Sequence, residues 1–354
     1  MICKKIIIMA GGSGGHVFPG LSIACDLIKK GWEIHWIGKK NSIESKVIPK
    51  YGIKITFINI KGFINADFTT LISLPVRLLF SYFKVKKVIK DWSPDVILGM
   101  GGYVSGPGAI AAWNLKIPLI IHEQNKVAGI TNKFLSKIST KNIQAFSGTL
   151  KNAIVSGNPI RENIVKIPKP IHRFKNRKGP LRILIMGGSQ GSLILNKILP
   201  KVCFLLKKKI TIWHQIGNFS IKKIEKKYNQ YGFYNYKIDN FIEHINLAYR
   251  WADLIICRSG ALTVSEISVV GLAAIFIPYP HKDKQQYLNA LELHSIGAAQ
   301  IVDQLKLNAR IIVQIIQKLN RKKLLIMSKK AYSLGVRNSA LKISSIISKI
   351  ANQK

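Results

Sequence analysis

Acidic side chains are scarce. Sixteen Asp and Glu stand against 55 Lys and Arg in 354 residues, a formal net charge of +39 at pH 7. Such an imbalance asks for an anionic partner. Three readings compete for it: nucleic acid, anionic lipid, or the Lys- and Ile-rich codon bias of an AT-rich genome. No RNA- or DNA-reading signature accompanies the charge, so a nucleic-acid partner is not expected. Cysteine is also sparse. The four thiols (Cys3, Cys25, Cys203, Cys257) form no CxxC pair, which excludes a disulfide framework and fits a reduced, cytoplasmic compartment. Long apolar runs are missing: none reaches the roughly 18 to 20 residues of a spanning helix. The stretch Ile6–Met9 is too short for the core of an export signal. Any membrane contact is therefore expected to be peripheral. A GxxxxGKS/T motif is absent as well, which excludes a P-loop ATPase.

What is present is alternation. Hydrophobic residues make up 47% of the chain, ample for packed cores, and 354 residues exceed what one core usually supports. Strand patterns at 4–9, 33–37, 53–60, 95–99 and 118–121 interleave with helix patterns at 18–30, 71–91 and 128–138. A Pro-rich, basic zone from Gly157 to Pro180 reads as the connection to a second domain. Strands then resume at 181–186, 210–214, 236–241, 253–257 and 273–278, and a basic helical tail covers 322–350. This spacing predicts an α/β fold of doubly wound parallel sheets. The helix over 71–91 mixes Leu78, Leu79, Phe80, Tyr82 and Phe83 with Arg77, Lys84, Lys86, Lys87 and Lys90. Two readings stand: a helix lying on an anionic lipid surface, or an ordinary amphipathic cover for the sheet.

Two strands run into near-identical glycine loops. Ile6–Met9 precedes Gly11-Gly12-Ser13-Gly14-Gly15, and Ile183–Met186 precedes Gly187-Gly188-Ser189-Gln190-Gly191. Glycine backbone opening a helix offers N–H groups and a positive dipole end, which suits phosphate. The first loop is a poor dinucleotide fingerprint: Val17 replaces the third glycine, and no acid follows the strand ending at Ile37. His16 stands at the head of a helix expected to begin near Phe18-Pro19. It is either a general base or a histidine bonded to loop carbonyls. A third glycine stretch, Gly99–Gly108, carries Tyr103, and another strand ends in His122-Glu123-Gln124-Asn125. Lys126 breaks any HExxH pattern, so no metal site is expected. Farther on, Ser259 reads as the N-cap of a helix through Glu266. Glu266 is either a ribose ligand or a surface ion pair. Gln285 and Gln286 follow a buried strand, and amides suit sugar hydroxyls.

Six ordered stretches carry a family resemblance: Gly11–Gly20, Gly99–Gly108, His122–Asn125, Gly187–Gly191, Ser259–Glu266 and His281–Gln286. With them the sequence resembles the MurG family of GT-B glycosyltransferases over nearly its full length. GT-B relatives share the glycine loops, whereas HEQN and GMGGYVSGPG are more specific. The resemblance implies two Rossmann-like domains facing each other across a deep cleft. Residues 1–160 would hold the acceptor, lipid I, with a C-terminal helix 338–354 packing back on them. Residues 161–337 would bind the donor, UDP-N-acetylglucosamine.

It also implies an inverting transfer to the muramyl 4-hydroxyl, with no cofactor, on the cytoplasmic face of the inner membrane. Helix 71–91 would then seat the first domain on anionic lipid. By the same resemblance His16 would be the base, with Tyr103, Glu123 and Asn125 shaping the acceptor side. Donor contacts would come from Ser13, Gly14, Gly15, Asn125, Arg161, Ser189, Ile242, Ala261, Leu262, Thr263, Val264, Ser265, Glu266, Gln285 and Gln286. Ser13 stands where relatives often carry Thr. The stretch His214–Asn218 departs from the family pattern and receives no role. Rival readings are another UDP-sugar GT-B enzyme (a glycolipid synthase or an epimerase) and a non-catalytic relic.

Overall fold

A computed structural model describes residues 3–60 and 68–353. The chain divides into two compact units, Met1–Arg161 with Asn338–Lys354, and Glu162–Arg337. Strands of the first unit are β1 (Lys5–Met9), β2 (Glu33–Lys39), β3 (Lys54–Ile58), β4 (Val96–Gly99), β5 (Leu119–Glu123), β6 (Lys141–Gln144) and β7 (Ile154–Val155). They form one parallel sheet in the order β3-β2-β1-β4-β5-β6-β7. Its helices are α1 (Gly14–Lys29), α2 (Ile43–Val47), α3 (Phe68–Trp92), α4 (Gly102–Asn114) and α5 (Ile130–Leu135).

A parallel sheet covered on both faces needs strands that are apolar on both sides. In β1 the alternation of side chains divides Ile6 and Ile8, which join one core with Trp36 and Leu98, from Ile7 and Met9, which join another with Ile97 and Ile121.

The second unit repeats the plan. Helices α6 (Glu162–Val165) and α7 (Pro170–Phe174) lead into β8 (Leu181–Met186), β9 (Ile210–Gln215), β10 (Tyr236–Asp239), β11 (Leu254–Cys257), β12 (Ala273–Phe276) and β13 (Ala299–Ile301). The parallel order is β10-β9-β8-β11-β12-β13. Interleaved are α8 (Leu193–Leu206), α9 (Ile221–Gln230), α10 (Ile245–Trp251), α11 (Ala261–Val270), α12 (Gln285–Ser295), α13 (Ala309–Gln317) and α14 (Arg321–Leu334). The last helix, α15 (Ser339–Ala351), belongs to the first unit, where Ile343 and Ile347 enter the core with Leu21 and Ala24. In each sheet the strand order reverses beside the first strand, at β1 and at β8. Ligands of open α/β sheets bind beyond the strands' carboxyl ends at that point, where both glycine loops begin.

One expectation needs correction here. The first helix starts at Gly14, not near Phe18, because the Ser13 carbonyl collects the His16 and Val17 N–H groups at 3.2 and 3.1 Å. Pro19 therefore lies inside the helix, and His16 in its first turn. Beyond Arg161, where the first unit ends, the basic zone up to Pro180 is anchored within the second unit. Arg173, 6% exposed, donates to the carbonyls of Pro168, Tyr249, Val270 and Gly271. Arg177 then pairs with the fully buried Asp253. The helical tail consists of α14 and the separate C-terminal helix α15, with a break at 335–338. Gly335 lies against the backbone of Ser268 and Val269, too close for any Cβ. In the expected helix 71–91, the side chains of residues 71–74 lie outside the described residues.

Candidate functional site

The two glycine loops look alike in sequence and differ in what surrounds them. Under the first lies Glu44, on α2 and fully buried. Its carboxylate accepts from Gly12 N at 3.2 and 3.3 Å and from Lys39 N at 2.9 Å. The chain's own anion thus occupies the Gly12 N–H. Phosphate-binding character, expected of both loops, is reduced at this end by a buried negative charge.

The second loop has a cation instead. Arg258, just past β11, donates to Ser192 Oγ at 2.9 Å and to the carbonyls of Ile277 and Pro278. Burial lowers its guanidinium pKa, which still leaves it charged. The loop is also clamped from behind. Gly191 and Gly217 (φ +81 and +72) meet so closely that a Cβ on either would collide with the other loop's backbone. Asn218 donates through its side chain to Gln190 Oε1 at 2.6 Å, and Asn196 holds the Ile216 carbonyl at 3.1 Å. Within the stretch 214–218, unassigned from sequence, residues 216–218 are this loop's buttress.

In the first unit, His16 Nδ1 lies 2.8 Å from Gln124 Oε1. Gln124 Nε2 donates to His122 Nδ1 and to the His122 carbonyl, both at 2.9 Å. His122 Nε2 lies 3.1 Å from the Gly157 carbonyl. Burial lowers the His122 pKa to about 4, against the raising effect of the Gly157 bond, so this ring is neutral at pH 7. Gln124 and His122 are 2% and 0% exposed. Sequence reading passed over both, although they sit inside the HEQN stretch.

Glu123 is buried and fully engaged. Oε1 accepts from Asn125 N and Nδ2, and Oε2 from Gly129 N and Asn132 Nδ2. Its carboxylate therefore shapes the turn that presents Asn125. Tyr103, in the first turn of α4, lines a groove of about 710 Å³ with Leu78, Tyr82, Ile110, Ile130 and Phe134. Arg161 stacks its guanidinium 4.5 Å from the Phe18 ring, two residues past His16. Ser13 is exposed, and Gly14 and Gly15 open α1.

In the second unit, Ser189 is exposed on the loop after β8, and Ile242 is buried after β10. The N-cap of α11 is Gly260; Ser259, expected there, is buried one residue earlier. Glu266, 5% exposed on α11, accepts from Tyr249 Oη at 2.8 Å, so it is no surface ion pair. Gln286 Oε1 accepts from Tyr279 N at 2.9 Å. In the first unit these residues follow the carboxyl ends of β1, β4, β5 and β7, and in the second unit Ser189, Ile242, residues 261–266, Gln285 and Gln286 follow those of β8, β10, β11 and β12. Among the described residues, no three His, Cys, Asp or Glu side chains cluster as metal ligands.

The glycosyltransferase family 28 N-terminal domain matches residues 6–144, and the family's C-terminal domain matches residues 182–347. The chain belongs to glycosyltransferase family 28. Within this family it is 65% identical over 353 residues to a protein of Buchnera aphidicola subsp. Schizaphis graminum, covering 100% of both chains. That relative is named UDP-N-acetylglucosamine--N-acetylmuramyl-(pentapeptide) pyrophosphoryl-undecaprenol N-acetylglucosamine transferase. A protein of Aliivibrio fischeri with the same name is 48% identical over 348 residues, 98% of each. Among solved structures, Acinetobacter baumannii MurG superposes with a TM-score of 0.83 at 34% identity, covering 98% of this chain and 99% of that one. The family 28 chain thus has the GT-B fold and is a glycosyltransferase.

Proposed function

We propose that this family 28 enzyme transfers N-acetylglucosamine from UDP-N-acetylglucosamine to the muramyl 4-hydroxyl of lipid I, giving lipid II for peptidoglycan synthesis. The observation that carries the reading is the pair of edge sites, one cationic and one built around His16, in a chain so similar to transferases of that name. The second unit takes the donor. Ser189 and the adjoining glycine N–H groups hold the diphosphate beside Arg258, Ile242 contacts the uracil, and residues 261–265 open the helix toward it. Glu266, oriented by Tyr249, accepts from the ribose, while Gln285 and Gln286 read the sugar.

The first unit takes the acceptor, and its Ser13, Gly14, Gly15, Asn125 and Arg161 are assigned to donor contact by the family resemblance alone. His16 removes the hydroxyl proton, and Tyr103 and Asn125 orient the acceptor. Attack opposite the departing UDP inverts the anomeric centre. Donors at the second loop stabilise the charge that develops on UDP. Anomeric coupling in the product disaccharide checks this: a β linkage is expected, and an α linkage refutes direct displacement. Replacing Glu266 by alanine should weaken UDP-N-acetylglucosamine binding by about 1.5–3 kcal/mol, the range for a hydrogen bond to a charged group. Unchanged affinity by calorimetry would remove its ribose role.

The acceptor's polyprenyl tail places the enzyme on the cytoplasmic face of the membrane, as a peripheral protein. No helix among the described residues is long and apolar enough to cross a membrane. What supports a surface contact is α3 and its neighbours. Leu79, Ile130 and Phe134 are exposed and line the apolar groove, and Phe80, Phe83, Lys84 and Lys87 are exposed elsewhere on α3, Phe80 and Lys84 lining a separate pocket with Arg77. Neutralising Lys84 and Lys87 together to Gln should cut binding to anionic vesicles tenfold or more, at about 1 kcal/mol per lysine. Binding that ignores both lipid charge and these variants would count against the contact.

A further inference from the structure

Two backbone carbonyls fix the direction of every bond in the chain of side chains behind His16. Carbonyls only accept. The Gly157 carbonyl accepts from Ser156 Oγ at 2.9 Å, which spends that hydroxyl's proton, and from His122 Nε2 at 3.1 Å, so the proton of the neutral His122 lies on Nε2 and a lone pair on Nδ1. The His122 carbonyl likewise identifies its partner on Gln124 as the NH₂ end. The amide's second N–H then meets the His122 Nδ1 lone pair, so the two anchors agree. Gln124 must turn Oε1 toward His16, and His16 Nδ1 must donate to it. In a neutral imidazole that leaves the lone pair on Nε2. This edge of the ring lies beside Gly102, where an added Cβ would stand only 3.5 Å from Nε2.

We infer that Gln124 and His122 are positioning residues that lock His16 in its Nδ1–H tautomer, with the Nε2 lone pair presented to the acceptor hydroxyl. The inference rests on His16 acting as the base. An unlocked imidazole favours the opposite tautomer, which would offer the hydroxyl an N–H and take no proton. Orientation by a neutral amide adds no charge beside the ring, unlike the carboxylate of a catalytic triad. The lock is itself held. Asn158 Nδ2 bonds the Gln124 carbonyl at 3.0 Å, Asn132 Nδ2 the His122 carbonyl at 3.1 Å, and Ser339 Oγ the Gly157 carbonyl at 2.8 Å.

The test reads the tautomer directly, by long-range ¹⁵N–¹H correlation on full-length protein labelled at histidine. Wild-type His16 should carry its proton on Nδ1. In Gln124→Met it should shift to Nε2, with kcat about 100-fold lower and the UDP-N-acetylglucosamine Kd within about twofold. Gln124→Glu keeps an acceptor at His16 Nδ1 and should restore the Nδ1–H tautomer, while its second oxygen has no proton for the His122 carbonyl, so the spectrum and not kcat is the readout for this variant. A wild-type His16 protonated on Nε2 would overturn the lock, and that spectrum decides even if the methionine variant fails to fold. Gln124→Met with an unchanged tautomer would overturn it equally. Should His16→Ala keep full turnover while wild type shows Nδ1–H, the base reading falls and the bonded geometry stands.

Discussion

His16→Ala should lower turnover by about 10²–10⁴-fold, the contribution of a well-placed general base, while leaving the donor Kd unchanged. The separation follows from where the residues sit. His16 lies in the first turn of α1, at the carboxyl edge of the first unit's sheet. The residues proposed to hold the nucleotide's diphosphate, ribose and uracil belong to the second unit. Loss of the imidazole removes one bond to Gln124 from a half-buried site, so the fold should survive. Single-turnover kinetics with calorimetry of donor binding distinguish the outcomes. Near wild-type turnover would end the role of His16 as base, and a matching loss of donor affinity would place it among binding groups instead.

The second large effect concerns stability. Asp253→Ala should destabilise the second unit by about 3–5 kcal/mol, the usual result of stripping one partner from a buried ion pair. Asp253 is fully buried and meets two guanidiniums, Arg177 through Oδ1 and Arg321 through Oδ2 at 3.3 Å. Oδ2 also accepts from Arg182 N at 3.1 Å, at the start of β8. Alanine would leave Arg177, whose side chain is 9% exposed, and Arg321, 23% exposed, without their counter-charge. Three segments distant in sequence, 177–182, 253 and 321, would lose their common anchor. Urea unfolding of the full chain, read on Trp213 and Trp251 in that unit, measures the shift. A midpoint indistinguishable from wild type would show that the arginines find other partners.

Architecture was legible because its signals are local. β1, β4, β5, β8, β11 and β12 each hold an unbroken apolar stretch, such as Ile6–Met9, Leu119–Ile121 and Ile183–Met186, bounded by polar residues or glycine. Strands β6 and β7 were not readable: Lys-Asn-Ile-Gln and a two-residue bridge carry no periodicity and exist only because β5 offers an edge to pair with. The start of α1 was misplaced because Pro19 signals a first turn, whereas Ser13 gathers two N–H groups farther upstream.

At the site, motif residues could be named, but their roles depend on partners far along the chain. Glu123 looks like a reactive carboxylate until Asn132 and Gly129 are seen to consume it. Glu44 gave no signal, being an ordinary acid in a short helix, yet it sets the charge beneath the first glycine loop. Gln124 and His122 were visible as letters, and only distances reveal the bonded chain.

The most direct measurement follows the label from UDP-[¹⁴C]N-acetylglucosamine in the presence of a lipid I analogue. The account predicts that radioactivity moves into the lipid-linked disaccharide with release of UDP, and that no transfer occurs without the acceptor. Label that stays in the nucleotide sugar, is epimerised there, or appears as free N-acetylglucosamine would contradict it.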